Sequence, residues 1–344
     1  MNSLKLQQRS SILLLLSSLL ALALTQAEGK NAALIANKPT QTALNSKTST
    51  KTSTKTSSKN YNDYQELNFP PGPALAQILW ITKKEGSTKI KARVLASGKV
   101  KVPKNQPLEV ILSTEALEHM DSIEQLAAFP VTSFVAARLD FTDDHMRHLK
   151  NFKWLAHLNL DETLVTDKSL ALIATFKELM ALRISVTDVT GSNFEALTKL
   201  PILLHLNIHG TNLKPGCLAK LKGAFGHFID LDLSATSLRR EDAAALTSAT
   251  ELKSLDLAGN KGFDDSCVVY LAGMKHLKSL RISDTSVTEQ SLAKLSKLPK
   301  LKSLIVRNRT FWRSGVPSET SGQLKVIDCS VKNNASLEVF EPLH

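Results

Sequence analysis

Cysteine is scarce in this chain of 344 residues, which contains only Cys217, Cys267 and Cys329. An odd and sparse set of this kind does not supply the disulfide framework on which many small exported domains depend. We therefore expect a fold that does not depend on oxidation.

Catalytic sequence motifs are missing as well. The chain contains no H-E-x-x-H or C-x-x-C metal-ligand spacing, no G-x-S-x-G nucleophile turn, no Walker loop and no Rossmann glycine pattern. His205, His209 and Asp230 could be drawn together as metal ligands, but isolated exposed histidines are common without a metal. The sequence therefore predicts a protein that is not an enzyme, with no cofactor, no resident metal and no nucleic-acid partner.

The long run rich in apolar residues at the start of the chain, Ile12–Leu24, is too short for a comfortable membrane span, which needs about 20 residues. Lys5 and Arg9 precede this run, and the small-residue site Thr25-Gln26-Ala27 follows it. This pattern predicts a signal peptide over residues 1–27. We expect a secreted, periplasmic or cell-envelope protein with no transmembrane span after cleavage.

Residues 28–60 have few apolar side chains and consist largely of Ser, Thr, Lys, Asn and Ala. Such a composition cannot form a core and predicts a disordered linker. The linker carries +5 and the signal peptide +2 of the chain's net charge of +11, which leaves +4 for the folded part. The basic linker, together with the loop of residues 307–313, suggests an alternative function, the binding of an anionic cell-surface polymer.

A repeat of 24 residues dominates the rest of the chain. The pattern L-x-x-L-x-L begins at Leu155, Leu179 and Leu203, at identical spacing. Related copies begin at Val131, Phe228, Leu252, Leu277 and Leu301, and two of the steps have an extra residue near Gly223–Gly226 and Lys261-Gly262. A fixed period of this length with this core is typical of a leucine-rich repeat solenoid.

Each copy reads as a strand, a bend and a short helix. Leu158 and Leu160 alternate as in a strand with one buried face. Thr163 stands at the bend, where many repeats have Asn, and its hydroxyl can replace part of the Asn hydrogen bonding. Thr166-Asp167 then predicts a helix N-cap with an acid in the first turn. The helix buries one apolar stripe, which consists of Leu170, Ile173 and Phe176.

The runs Thr163–Asp167 and Thr285–Glu289 closely resemble those of bacterial secreted leucine-rich repeat proteins of the ribonuclease-inhibitor-like type. The resemblance covers about residues 108–330. It implies an α/β horseshoe with a parallel concave sheet, short convex helices, and about eight to nine repeats plus caps. It also implies an exported scaffold that mediates protein–protein interaction.

The caps complete the predicted domain map. Residues 61–106 are expected to form an N-terminal cap, with a helix over Ala74–Lys84 and a hairpin that joins Ile90–Leu95 to Lys99–Val102. The repeat domain spans residues 107–330 and ends on the strand Leu324-x-x-Ile327-x-Cys329. Residues 331–344 are expected to form a C-terminal cap.

Residues between the strand leucines point to the concave face, which is the usual binding surface of this architecture. This face is predicted to carry an acidic centre flanked by basic side chains, although a sheet face that is merely solvated would also be polar. The expected partner-binding residues here are Arg183, His205, Asn207, Asp230, Asp232, Asp256 and Arg281. Val326 and Asp328 are expected to continue the same rows of residues in the last strand.

A second candidate binding site lies in residues 307–323, which have lost the leucine stripe of the repeat. Arg307, Arg309 and Arg313 surround Trp312, and Arg and Trp are favoured as interface anchors. In the alternative interpretation, Trp312 fills the gap that the missing helix leaves.

Overall fold

The computed structural model of the chain describes residues 63–83, 89–306 and 325–328. All of them belong to one compact unit, Tyr61–Asn333. None of the helices in these residues is long and apolar enough to span a bilayer. The signal peptide, the linker, the segment 307–324 and the C-terminal cap lie outside the described residues.

The described residues form a sheet of twelve strands and a separate pair. The long sheet has the order β14-β13-β12-β11-β10-β9-β8-β7-β6-β5-β2-β3, in which β5 to β14 are parallel. The pair β1–β4 is antiparallel. The strands are Tyr64–Asn68 (β1), Ala76–Lys83 (β2), Lys89–Leu95 (β3), Lys99–Pro103 (β4), Leu108–Leu112 (β5), Val131–Val135 (β6), His157–Asn159 (β7), Ala181–Arg183 (β8), His205–Asn207 (β9), Asp230–Asp232 (β10), Ser254–Asp256 (β11), Ser279–Arg281 (β12), Ser303–Val306 (β13) and Lys325–Asp328 (β14).

The register of the sheet places equivalent leucines of successive repeats side by side. Leu158 pairs with Leu182, Leu182 with Leu206, and Leu206 with Leu231. These side chains are buried and form one continuous core with the apolar residues of the helical segments. The fold is therefore a leucine-rich repeat solenoid, as the 24-residue period predicted.

Short helices, most of them of the 3-10 type, return the chain from each strand to the next. Because a repeat has only about 24 residues, one or two helical turns fit between strands, and 3-10 geometry is common in such short pieces. The α-helices are Met120–Glu124, Asp143–Met146, Ser169–Ile173, Arg240–Ala243 and Leu292–Leu295. The 3-10 helices are Thr114–His119, Gln125–Ala128, Arg147–Leu149, Phe194–Lys199, Cys217–Leu221, Ala244–Ser248, Cys267–Leu271 and Glu289–Ser291.

Threonine holds the bend after five of the six strands β7 to β12. The Thr163 hydroxyl donates to the Leu160 carbonyl at 2.7 Å, and Thr211 donates to Ile208 at the same distance. Asn260 occupies this position in one repeat, and its amide donates to carbonyls of its own repeat and of the preceding one. The threonine hydroxyls therefore make the hydrogen bond within their own repeat that Asn260 makes, but not its hydrogen bond to the preceding repeat.

The aspartate of the Thr166-Asp167 pair has a different role from the predicted one. The helix of this repeat begins at Ser169, with Lys168 as its N-cap, so Asp167 does not lie in its first turn. The Asp167 carboxylate accepts instead from the Thr190 amide at 2.9 Å and from the Thr190 hydroxyl at 2.7 Å, one repeat later. Asp143 and Asp265 make the same contact with the next repeat, and we call these three carboxylates the acid ladder.

The N-terminal cap differs most from expectation. Ala76–Lys83 is a strand between β3 and β5, and the predicted helix over residues 74–84 is wrong. Short apolar runs with β-branched and aromatic residues are ambiguous between helix and strand, and here pairing with β5 favours the strand. The two segments of the predicted hairpin are both strands, but they do not pair with each other, since β3 pairs with β2 and β4 with β1.

The register of the last strand is also different by one residue. Leu304 pairs with Val326 and Ile305 with Ile327, whereas the leucine pattern predicted Leu304 opposite Ile327. The intervening segment lacks the leucine stripe of a repeat, so its 23-residue spacing does not fix the register. Lys325 and Ile327 therefore take the concave register positions that were predicted for Val326 and Asp328.

Candidate functional site

Two rows of concave residues run across the strands, and both match the predicted columns as far as β13. The first row pairs His157 with Ala181, Ala181 with His205, and His205 with Asp230. It contains Ser133, His157, Ala181, His205, Asp230, Ser254, Ser279 and Ser303. The second row contains Val135, Asn159, Arg183, Asn207, Asp232, Asp256, Arg281 and Ile305.

Asn and Asp occur in the second row partly for a structural reason. In each of four strands, the side-chain Oδ1 accepts the backbone N–H two residues later, at 2.9 Å. This Asx turn closes the strand end, and Asn and Asp favour it because their short side chains reach that N–H. The four residues are Asn159, Asn207, Asp232 and Asp256.

Arg183 is the basic group at one end of the polar part of this face. Its Nε lies 2.6 Å from Asp161 Oδ2, and Asp161 is 7% exposed. The other oxygen of Asp161 accepts the Ser185 amide at 2.8 Å. The Arg183 charge is therefore fixed in place and already neutralised by Asp161.

Hydrogen bonds continue from Arg183 towards the acidic centre. The Ser185 hydroxyl donates to Asn207 at 2.9 Å. The His209 imidazole lies 2.7 Å from the Ser234 hydroxyl, which in turn donates to Asp232 at 2.5 Å. Polar side chains of β8, β9 and β10, and of the bends that follow them, thus form contacts across the face.

Asp256 is far more buried than a solvated strand residue. It is 6% exposed, and its Oδ2 lies 3.4 Å from Arg281 Nη1. Burial, with the charge of Asp232 on the adjacent strand as a second cause, raises the pKa of Asp256 to about 7. Replacement of Asp256 by Lys would therefore bury a second cation beside Arg281, and we expect it to destabilise the fold.

The histidines of the first row are not assembled as metal ligands. His205 Nδ1 lies 3.8 Å from Asp230 Oδ2, while His209 contacts Ser234 instead. Burial, with His205 as a second cause, lowers the pKa of His157 to about 4, so this imidazole is neutral at physiological pH.

Among the described residues, the three ligand-type side chains that come within 4.8 Å of one another are Asp121, Glu124 and His148, outside this face. His148 Nδ1 lies 2.6 Å from Glu124 and 3.4 Å from Asp121, and Arg147 donates to its Nε2 at 3.4 Å. Both ring nitrogens of His148 therefore already have protein partners. The 24-residue separation of Glu124 and His148 is the sequence signal that could have found this contact.

The concave face also extends into the N-terminal cap, which sequence reasoning missed because it expected a helix there. Gln77 pairs with Ile111, and Ile111 pairs with Val135, so β2 and β5 continue the second row. Glu109 of β5 pairs with Ser133 and so continues the first row, and its Oε2 lies 2.6 Å from Lys91 Nζ. The extension is more apolar than the acidic centre.

The second candidate site cannot be placed, since Arg307, Arg309, Trp312 and Arg313 lie outside the described residues. The same holds for the basic linker of residues 28–60. The proposal that these segments bind an anionic polymer therefore stays a prediction from the sequence.

Comparison with known proteins gives structural matches alone. No family model matches the chain, and no curated protein matches it. An internalin from Listeria monocytogenes is 18% identical, with a TM-score of 0.45, over 60% of this chain and 64% of that one. The leucine-rich repeat ectodomain of the Arabidopsis receptor kinase HAESA, in complex with an extended IDA peptide hormone, is 18% identical, with a TM-score of 0.41, over 54% of this chain and 33% of that one. The chain thus spans less than two thirds of each match.

Proposed function

We propose that this chain is an exported leucine-rich repeat scaffold that binds another protein on its concave face and does not catalyse a reaction. The observation that carries the proposal is two sets of charged and polar side chains in contact on this face, one from Arg183 and Asp161 to Asp232 and the other the pair Asp256–Arg281. Their contacts of 2.5–3.4 Å hold these groups in defined positions before any partner arrives. Preorganised groups lose little conformational entropy on binding, which favours affinity.

The shape of the sheet supports the same surface. Parallel pairing from β5 to β14 gives a continuous face in which equivalent side chains of successive repeats form rows. Solenoids of this type use their extended concave surfaces for binding. A partner can therefore contact several repeats at once, with charge positions that differ from strand to strand.

Export rests on residues 1–27. Their basic start, apolar run and small-residue site support secretion or transfer to the periplasm or cell envelope, as in the bacterial ribonuclease-inhibitor-like type. Amino-terminal sequencing of the protein from its native extract should show a mature chain that begins at Glu28. A chain that still begins at Met1 would contradict export by cleavage.

The concave site is tested by placing a bulky charged side chain on it. Ala181 lies in the first row between His157 and His205 and is 7% exposed, so a larger side chain there must project from the face, whereas Ala219 is exposed in the helix Cys217–Leu221. The mature protein and its Ala181→Arg and Ala219→Arg variants are immobilised and incubated with the native extracellular extract. Captured proteins are then quantified by mass spectrometry.

We expect a protein that the wild type and the Ala219→Arg variant capture equally and that the Ala181→Arg variant loses. Circular dichroism must show the same secondary structure for all three proteins. Equal capture by all three, or loss with Ala219→Arg alone, would show that the concave face is not the binding surface.

A further inference from the structure

Negative charge is incompletely balanced at the centre of the concave face. Asp230 of the first row and Asp232 and Asp256 of the second row lie on the adjacent strands β10 and β11. These three residues are the acidic centre of the face, and we call them the acidic row. Arg281 Nη1 lies 3.4 Å from Asp256 Oδ2, and His205 Nδ1 lies 3.8 Å from Asp230 Oδ2. The hydrogen bonds that the structure gives to Asp232 come from the neutral amide and hydroxyl of Ser234.

An unused hydrogen-bonding group lies directly beside the acidic row. Ser254 pairs with Asp230 in the sheet register and is 7% exposed. Its Oγ is buried and has no hydrogen-bond partner among the described residues. Burying a hydroxyl without a partner costs free energy, so a group that bonds to it on binding is favoured.

We propose that the acidic row binds a lysine or arginine side chain of the protein partner, beside Asp232 and within reach of Ser254. This inference rests on the proposed function and adds the chemistry that the partner must present. The cation N–H groups donate to the carboxylates of Asp230 and Asp232, and Ser254 Oγ accepts a further N–H. Small neighbours such as Ser279 leave room for a long side chain to approach the strands.

The other charges of the molecule favour this reading over a diffuse attraction. The folded part has a net charge of +4, so it repels a basic partner at long range, and attraction must come from the local acids. Asp161 lies 2.6 Å from Arg183, and Asp256 lies 3.4 Å from Arg281, so both arginines of the second row already have a carboxylate partner. In the described residues, the acidic row does not bring three ligand atoms within 4.8 Å, which disfavours a bare metal ion.

Asp232→Asn is a suitable variant, because Asn already occurs at this position of the second row in β7 and β9. Asn159 and Asn207 make the Asx-turn contact of Asp232 at the same 2.9 Å, so the variant removes the charge and keeps the turn. Asp121→Asn is the matched control, since Asp121 is a highly exposed acid outside the concave face.

The probes are two fluorescein-labelled hexapeptides, Ser-Lys-Ser-Lys-Ser-Lys and its counterpart with Glu in place of Lys. Their binding to the full mature protein is followed by fluorescence anisotropy at low and at physiological salt. We expect the Lys peptide to bind and the Glu peptide not to bind, with an affinity that falls as salt rises. Asp232→Asn should weaken the Lys peptide about tenfold, as loss of one partly buried charge contact implies, and Asp121→Asn should not.

Binding of the Lys peptide that is unchanged by Asp232→Asn, or weakened equally by Asp121→Asn, would overturn the inference. So would the absence of any binding to the wild type. In either case the proposed function still stands if Ala181→Arg abolishes capture of the native partner. If capture also survives Ala181→Arg, both proposals are wrong.

Discussion

Removal of the charge of Asp256 should stabilise the protein at neutral and alkaline pH. Burial and the neighbouring Asp232 raise the pKa of Asp256 from 3.8 to about 7, so the folded chain disfavours its ionised form. Asp256→Asn removes that ionisation and keeps the Oδ1 that accepts the Ala258 amide. Asn207 on β9, two strands away, shows that Asn makes this contact.

The pKa difference sets the size of the effect. A rise of about 3 in pKa corresponds to about 4 kcal/mol, at 1.36 kcal/mol for each unit. The contribution of Asp256 to stability is fully present below pH 3.8 and is lost as the pH rises towards 7, because the folded state binds the proton more tightly. The variant should therefore match the wild type near pH 4 and exceed it by up to about 4 kcal/mol at pH 8.

The titration of His157 changes the stability in the opposite direction over part of the same pH range. Burial lowers its pKa from 6.5 to about 4, so its contribution is present above pH 6.5 and is lost as the pH falls towards 4. The difference of about 2.5 in pKa is worth roughly 3 kcal/mol. In the wild type the two slopes largely cancel between pH 4 and 6.5, whereas in Asp256→Asn the slope of His157 remains.

The assay is denaturant unfolding, followed by circular dichroism, of the wild type and the variant at pH 4.5, 6 and 8. We expect the difference in unfolding free energy between the two proteins to grow with pH. Asp121→Asn serves as the control for loss of an exposed acid and should show no such trend. A difference that is the same at all three pH values would refute the assigned burial of the Asp256 charge.

The remaining predictions concern stability and use the same unfolding assay. Leu206→Ala should cost about 2–5 kcal/mol because the side chain is 2% exposed in the shared core. Thr211→Ala should cost about 1 kcal/mol, for one hydrogen bond. Equal costs would contradict the assignment of Leu206 to the core and of Thr211 to the bend. Asp265→Ala should cost about 3 kcal/mol, because two hydroxyls and an amide of the next repeat lose a charged acceptor. An unchanged unfolding midpoint would show that the acid ladder is dispensable. Val186→Asn should stabilise by about 1 kcal/mol, because Val186 has a φ of 51°, which a β-branched residue adopts poorly and Asn tolerates; a loss of stability would show that the valine side chain makes a necessary contact.

The repeat part of the fold could be predicted because packing fixes it. Leu158, Leu182 and Leu206 must face inward together, and a constant period lets them stack without further information. The concave rows follow from the same alternation, so they were predictable as far as β13. Beyond β13 the period is broken, and the register of β14 shifted by one residue.

Other features depend on contacts that a single repeat does not contain. The role of Asp167 is visible only when the next repeat is stacked on it, because its partner Thr190 is 23 residues away. The burial of Asp256 depends on its neighbours on β10 and β12, not on its own strand. Ala76–Lys83 became a strand because β5 offers it an edge, and local pattern alone does not show that edge.

The acid ladder also has an implication for how arrays of this kind gain and lose repeats. At the position after Thr190 the ladder is interrupted by Gly191, where a side chain would meet Cys217 at 2.7 Å, and Pro215 takes the same position one repeat later. At that joint, neighbouring repeats are joined by backbone pairing, core packing and the exposed ion pair Glu195–Lys220, without a carboxylate of the ladder. A duplication or deletion of a whole repeat there would leave the contacts of Asp143, Asp167 and Asp265 with their next repeats intact. At this joint the array can therefore change length without the loss of an acid-ladder contact.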